Sequence, residues 1–179
     1  VVNAGGPWAI EIGRWVGVDI PIDNRARTVI VTEPIPELAP GRPFIEDLTA
    51  EWYYRPEGPS ILMGMGKEPV DRMQVQPTYE MLDRMTRVAC HRVPLLETAR
   101  VQTTWAGVRP LTCDDRPILG PVDSLEGFFL NCGWGGMGII QAPIAGQLVA
   151  EFVSDGHTTT MDIEPFGITR FCEQRQSRP

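Results

Sequence analysis

Several things are missing from this sequence, and each absence removes a class of function. No apolar run approaches the roughly 18–20 residues that a membrane-spanning helix needs. Basic residues are outnumbered, 16 Lys and Arg against 23 Asp and Glu, for a net charge of −7. A chain so acidic has nothing with which to neutralise a run of phosphates, so no nucleic-acid partner is expected. Walker A, HExxH and GxSxG patterns are absent. The four cysteines, Cys90, Cys113, Cys132 and Cys172, form no CxxC pair, and only His91 lies beside one of them. That spacing speaks against a zinc site and against a disulfide framework, and no metal is expected. Reduced thiols in a cytoplasmic protein are the expectation. An initiating Met and a signal-like leader are also missing: VVNAGGPWA reads as a strand already entering a turn, as if the chain joined a fold midway.

What is present suits a globular α+β chain. Its 179 residues are 42% hydrophobic and 22% charged, enough for one domain or two small ones. With 18 glycines and 17 prolines, the chain should turn often. Gly5-Gly6-Pro7 leads into an expected helix over Trp8 to Val16, and the β-branched run from Asn24 to Thr32 reads as a strand. Glu51–Arg55 and Ser60–Gly64 flank a Pro/Gly turn, which is a hairpin signal. Tyr79, Leu82, Met85, Val88 and Ala89 recur at helical spacing, with Thr78 as a cap and Pro94 as a stop. Arg100 to Trp105 reads as a strand, 107–121 as irregular, and Gly127 to Cys132 as a buried strand. A helix is expected over Ile139 to Val153, ended by Asp155-Gly156, and a frayed tail from Phe171.

The sharpest local signal is a strand, a glycine turn and a helix: FFLNC, GWGGMG, IIQAPIAGQLVAEF. Gly133, Gly135 and Gly138 satisfy GxGxxG in that setting. Glycines let a ligand approach the backbone, and the free N–H groups of a helix start favour negative charge. A dinucleotide fold requires a further strand ending in an acidic residue, and Asp155-Gly156 and a short tail follow instead. Three readings remain: a partial Rossmann unit, a plain turn, and a helix start aimed at some other electron-rich group. Arg109, between Gly107 and Pro110, suits bidentate recognition of a carboxylate; a structural ion pair with Asp114 or Asp115 is the alternative. Asp114-Asp115 reads as a surface turn ahead of an acid/base pair. Tyr53 and Tyr54 point to opposite faces of a strand, so one of them faces a core or a pocket. His91 and His157 lack the companions of a nucleophilic triad, and Met63, Met65 and Met137 read as packing residues.

Four stretches taken together, VVNAGGPWA, YYRPEG with ILMGMG, WAGVRPLTCDDRPILGPV and LNCGWGGMGIIQAPIAGQLVAE, resemble the FAD-dependent amine and amino-acid oxidoreductases of the D-amino-acid oxidase type. The likeness is greatest to glycine oxidases and the sarcosine oxidase β subunit. It covers nearly the whole chain but only the C-terminal half of such a protein, without the N-terminal βαβ unit that holds the ADP part of FAD. The resemblance implies an α+β fold that is part of a two-domain FAD oxidoreductase. Residues 1–14 would end one FAD-domain segment, and 15–103 would form an antiparallel-sheet substrate domain. Residues 104–156 would return to the Rossmann-like FAD domain, and 157–179 would be a tail. Ala4, Gly5 and Gly6, with Gly133, Gly135, Gly136, Met137, Gly138 and Ile139, would meet the cofactor. Arg109 would grip the substrate carboxylate and Tyr53 would be an active-site tyrosine.

The implied reaction is oxidation of the C–N bond of a small amine or amino acid (glycine, sarcosine or a D-amino acid) by hydride transfer to FAD. Ile140 stands where sarcosine-oxidising members carry lysine, Met137 where some carry histidine, and Cys113 where proline is frequent. Gly107 aligns with the cysteine that tethers flavin in monomeric sarcosine oxidases, so that linkage is excluded. The partner would be an N-terminal half, another subunit or a second copy. Apolar surface is expected around Val1, Trp8 and Phe128 to Leu130. The rival function is a non-catalytic module that binds a partner chain and no flavin.

Overall fold

Glycine and proline punctuate a chain whose longest apolar patterns alternate with period two or recur with period 3.6, and strands and helices form accordingly. The computed structural model describes residues 1–39, 41–70 and 73–171. Eight strands are formed: β1 (Val2–Asn3), β2 (Asp23–Thr32), β3 (Ile45–Asp47), β4 (Trp52–Glu57), β5 (Ser60–Pro69), β6 (Val101–Leu111), β7 (Ile118–Pro121) and β8 (Phe129–Cys132). Three α-helices are α1 (Ala9–Trp15), α2 (Tyr79–Arg92) and α3 (Gly138–Asp155). No helix among the described residues is long and apolar enough to cross a membrane. Compact contacts divide the chain into one unit of Val1–Asn24 with Arg109–Pro179 and a second of Arg25–Val108.

The second unit is built on a five-stranded sheet in the order β3-β4-β5-β2-β6. Gly58, at φ +58°, supplies the left-handed residue of the tight β4–β5 turn, after which Glu57 pairs with Ser60 and Tyr53 with Gly64. On one sheet face Ile30, Trp52, Tyr54, Ile61, Met63 and Met65 pack under Met81, Met85 and Ala89 of α2. The Thr78 hydroxyl caps α2 by accepting the Met81 N–H at 3.2 Å. Tyr54 is thus a core residue, as are Met63 and Met65, whereas Tyr53 lies on the opposite face with Val29, Val31 and Leu62. His91 is exposed in the last turn of α2.

In the first unit β1, β8 and β7 form a small sheet in the order β1-β8-β7, with β1 parallel to β8 and β7 antiparallel to it. One face buries Ala9, Ile20, Ile22, Ile118, Leu130 and Cys132; on the other Leu119, Leu148 and Ile163 pack together. Gly156, at φ +76°, ends α3 in the left-handed conformation, its N–H on the Phe152 carbonyl. Beyond it the chain folds back over α3. Glu151 accepts the N–H groups of Thr159 at 2.8 Å and Thr160 at 3.0 Å, together with the Thr160 hydroxyl and the Gln147 amide. His157 is exposed, its Nδ1 3.0 Å from the Asp155 carbonyl.

Three expectations need correction. Residues 107–121 are not wholly irregular: β6 runs on to Leu111, and β7 arises because Ile118 and Leu119 are buried against β8. Phe128, Phe129 and Leu130 are buried, the second edge-on to Phe152 at 4.8 Å, so the exposed apolar residues of this region are Val1 and Trp8. Phe171 is buried in the core beside Ile20 and Leu130; the remainder of the expected frayed tail, Cys172 included, lies outside the described residues. Cys90, Cys113 and Cys132 are free thiols, and burial pushes that of Cys132 up to about 12.

Arg170 fastens the last of these residues. Its guanidinium donates bidentately to Asp114 at 2.8 and 3.2 Å, and also to the carbonyls of Arg116, Pro117, Phe166 and Gly167. Both side chains are largely buried, 14% and 21% exposed. The Arg170 hydrogen bonds are the main reason that the Asp114 carboxyl falls from 3.8 to about 2. A carboxyl with a depressed native pKa stabilises the fold above its unfolded value and loses that contribution as pH falls toward the native one. Stability is therefore expected to be level above about pH 4 and to decline between there and about pH 2. Asp114→Asn should flatten that decline and cost about 1.5–3 kcal/mol near neutrality, measured by urea unfolding across pH.

Candidate functional site

Because β1 and β8 are parallel neighbours, Val2 beside Phe129 and Asn3 beside Leu130, their carboxyl ends lie side by side. Each is followed by a glycine turn and a helix: Ala4-Gly5-Gly6 before α1, and Gly133 to Gly138 at the start of α3. The crevice beyond the carboxyl ends of adjacent parallel strands is where open α/β sheets bind ligands. The structure thus brings together the two glycine segments expected to meet a cofactor, although 129 residues separate Ala4 from Gly133 in the chain.

Each turn is pinned by an asparagine at the end of its own strand. Asn3 is 1% exposed; its Oδ1 accepts the Gly5 N–H at 3.2 Å and its Nδ2 donates to the Ala9 carbonyl at 3.0 Å. A side chain at Gly5 would place its Cβ 2.6 Å from Ile12, so the turn closes only on glycine. Asn131 accepts the Trp134 indole N–H at 2.7 Å, and Trp134 packs on the core of Leu119, Leu148 and Ile163. The one large side chain of the second turn is therefore drawn inward. Gly136, Met137 and Ile139 are exposed, the last two 51% and 93%. Sequence reasoning did not single out Asn3 or Asn131. Their signal was a polar residue ending a short apolar strand just before a glycine turn.

Gly133 and Gly135 adopt φ of +73° and +56°, a region that disfavours side chains, and a Cβ at Gly133 would also meet Thr112 at 2.9 Å. The turn leans on the end of β6. The Gly135 N–H donates to the Pro110 carbonyl at 3.0 Å, and Leu111 Cδ2 lies 3.1 Å from where a Gly135 Cβ would be. Arg109 is carried to the same place: its Cζ, Nη1 and Nη2 are 3.0–3.2 Å from the position a Gly136 Cβ would take. Helix α3 then opens without a side-chain cap, since its first flanking residue is Met137. The leading N–H groups of a helix have no partner within it, so they are left to an acceptor outside the helix.

The alternative expected for Arg109 is not realised. Asp114 is taken by Arg170, and among the described residues no carboxylate pairs with Arg109. Asp114 and Asp115 form a tight turn, with Asp115 at φ +55°, and not an acid/base pair. The site accordingly offers a half-buried guanidinium beside exposed glycine backbone and an uncapped helix start. That donor set, with space left by the missing Cβ atoms, fits a flat electron-rich ring and a small carboxylate. Tyr53 belongs to the other unit. Its ring stacks with Phe44 at a centroid distance of 5.5 Å, lies under the Arg27 guanidinium at 5.0 Å and covers Gly64. Among the described residues no group of three or more His, Cys, Asp or Glu could hold a metal ion.

Comparisons with known proteins agree with this geometry. A hydrogen cyanide synthase subunit of Pseudomonas protegens is 31% identical over 173 residues, 96% of this chain but 40% of that protein. The crystal structure of L-proline dehydrogenase from P. horikoshii superposes with a TM-score of 0.86 at 26% identity, covering 97% of this chain and 47% of that one. Glycine oxidase from Geobacillus kaustophilus gives 0.81 at 29% identity, covering 95% and 45%. The chain thus spans less than half the length of these relatives, and its mixed α+β fold is shared with them. Residues 1–152 match the FAD dependent oxidoreductase family, and it is to this family that the chain belongs.

Proposed function

We propose that these residues are the substrate-binding and flavin-facing part of an enzyme that oxidises the C–N bond of a small amine or amino acid. The carrying observation is Arg109, a cation with no carboxylate partner among the described residues, tied by backbone to an exposed glycine turn. Names of the similar proteins, glycine oxidase and L-proline dehydrogenase, support a small amino acid as substrate. FAD, when bound, supplies the acceptor for the hydride removed from the carbon beside nitrogen; the imine that remains is hydrolysed by water. Ala4, Gly5 and Gly6 with Gly133, Gly135, Gly136, Met137, Gly138 and Ile139 would hold it. The uncapped N–H groups at the start of α3 would stabilise negative charge arising at the ring edge.

Arg109 would fork onto the substrate carboxylate and so fix the orientation of the reacting C–H bond. Tyr53 would be the substrate-facing residue of the unit 25–108, which is the substrate domain in this reading, while the unit of 1–24 and 109–179 belongs to the FAD domain. The rest of the flavin site would come from further chain or from a partner subunit, a possibility supported by the relative that is itself named as a subunit.

Two outcomes test this. Anaerobic mixing of the full-length, flavin-loaded protein with glycine, sarcosine, L-proline and D-alanine should bleach the flavin absorbance with at least one of them; no bleaching by any small amine or amino acid would defeat the proposal. Arg109→Ala should raise KM for that substrate about tenfold or more, the loss of one charge-assisted pair, and change little for an amine without a carboxylate. Arg109→Lys should recover only part of the loss, because a point charge lacks the guanidinium fork. Residues 1–179 expressed by themselves should bind FAD weakly and self-associate, since Val1, Trp8, Ile139 and Ile140 are exposed. A yellow monomer on a sizing column would contradict this.

A further inference from the structure

Tyr53 is held in a way that the reaction alone does not require. Across β4 and β5 it is paired with Gly64, and its ring lies flat over that glycine. A Cβ at Gly64 would be 2.5 Å from Tyr53 Cε1 and 2.6 Å from both Cζ and Oη, distances that real structures do not tolerate. Gly64 does not have a positive φ, so turn geometry does not explain the glycine. Its neighbours on β5, Met63 and Met65, are core residues on the other face of the sheet. What the missing side chain provides is room for the phenol.

Two more groups complete the seat. The Arg27 guanidinium sits over the Tyr53 ring at 5.0 Å, and Phe44 stacks beside it at 5.5 Å with 25° between the planes. Arg27 is itself anchored: it is 6% exposed, and its Nη1 donates to the Gly66 carbonyl at 3.3 Å, two residues along β5 from Gly64. A register irregularity between Ala26 and Thr28 interrupts the β2–β5 pairing at this arginine, and such bulges re-aim a side chain. Cation–π attraction and ring stacking each contribute modestly, and both fix the plane of the ring.

We propose that Gly64 and Arg27 are positioning residues for Tyr53, one leaving the space and the other setting the plane in which the phenol is presented to substrate. The substrate-facing role of Tyr53 rests on the function proposed above; the seat itself does not. A tyrosine clamped over a glycine cannot withdraw into the sheet to admit a larger group, so the pair also limits the bulk of the substrate near the phenol.

The test uses the full-length flavoprotein labelled with 3-fluorotyrosine, the Tyr53 fluorine line being assigned by its loss in Tyr53→Phe. Gly64→Ala and Arg27→Met should each move that line. With the amino acid that bleaches the flavin, each should lower kcat/KM by about tenfold, the loss of one well-placed interaction. In a Tyr53→Ala background Gly64→Ala should cost less than about twofold, because two residues acting through one contact are not additive. An unmoved fluorine line in both variants would overturn the seat. A line that moves while kcat/KM stays constant would overturn the positioning role, and an equal loss with and without the tyrosine would show that Gly64 serves only the fold. If no amine bleaches the wild-type flavin, the proposed function fails, and the fluorine lines still decide the seat.

Discussion

A single backbone hydrogen bond, from the Gly135 N–H to the Pro110 carbonyl, joins the glycine turn to the strand that bears Arg109. It forms only because Gly133 and Gly135 take positive φ and because no Cβ intrudes on Thr112 or Leu111. With the turn laid on the strand, the guanidinium next door is brought against Gly136, where backbone and cation share one exposed surface. The neighbouring groups serve to keep that bond in place. Thr112 donates its hydroxyl to the Arg116 carbonyl, and Arg170 binds the Asp114 carboxylate and the carbonyls of Arg116 and Pro117. Asp114, which could have neutralised Arg109, is thereby committed elsewhere. A cation kept free of internal partners retains its attraction for a carboxylate that arrives from outside.

The two asparagines show the same economy on the other side. Asn3 and Asn131 end adjacent parallel strands, and each spends its side chain on the turn that follows, the first on the Gly5 amide and the second on the Trp134 indole. Buried amides must find partners, and here the partners are the groups that shape the crevice. Backbone N–H groups with no cap at α3 and glycines that cannot be substituted then present a polar, unobstructed edge, while apolar Met137 and Ile139 stand out beside it.

Much of this was readable in the residues. The apolar spacing from Tyr79 to Ala89 with its threonine cap is α2, and the Pro/Gly turn between two apolar runs is the β4–β5 hairpin. FFLNC followed by glycines is a buried strand leading into α3. These elements depend on local periodicity and on turn chemistry, which short windows record. What escaped depends on distance along the chain. β7 is only four residues long and is interrupted by glycine and proline; it is a strand because β8 pairs with it. Asp114 finds Arg170 across 56 positions, so the choice between Arg109 and another partner had no local signature. The same holds for the seat of Tyr53, which needs Gly64 from the next strand and Arg27 from the one beyond. The family resemblance supplied the roles of Arg109 and the glycine turns, and the structure supplied the reason that Arg109 is available.

The central claim is that Arg109, kept free by the Asp114–Arg170 pair and held against the glycine turn, is the carboxylate anchor of the site. The most direct measurement is a crystal structure of the full-length flavoprotein soaked with acetate, an unreactive carboxylate. The account predicts acetate bound through both oxygens to the Arg109 guanidinium, with the amides of the turn from Gly133 to Gly138 directed at the flavin. An Arg109 engaged by a protein carboxylate, with acetate bound elsewhere or not at all, would contradict it.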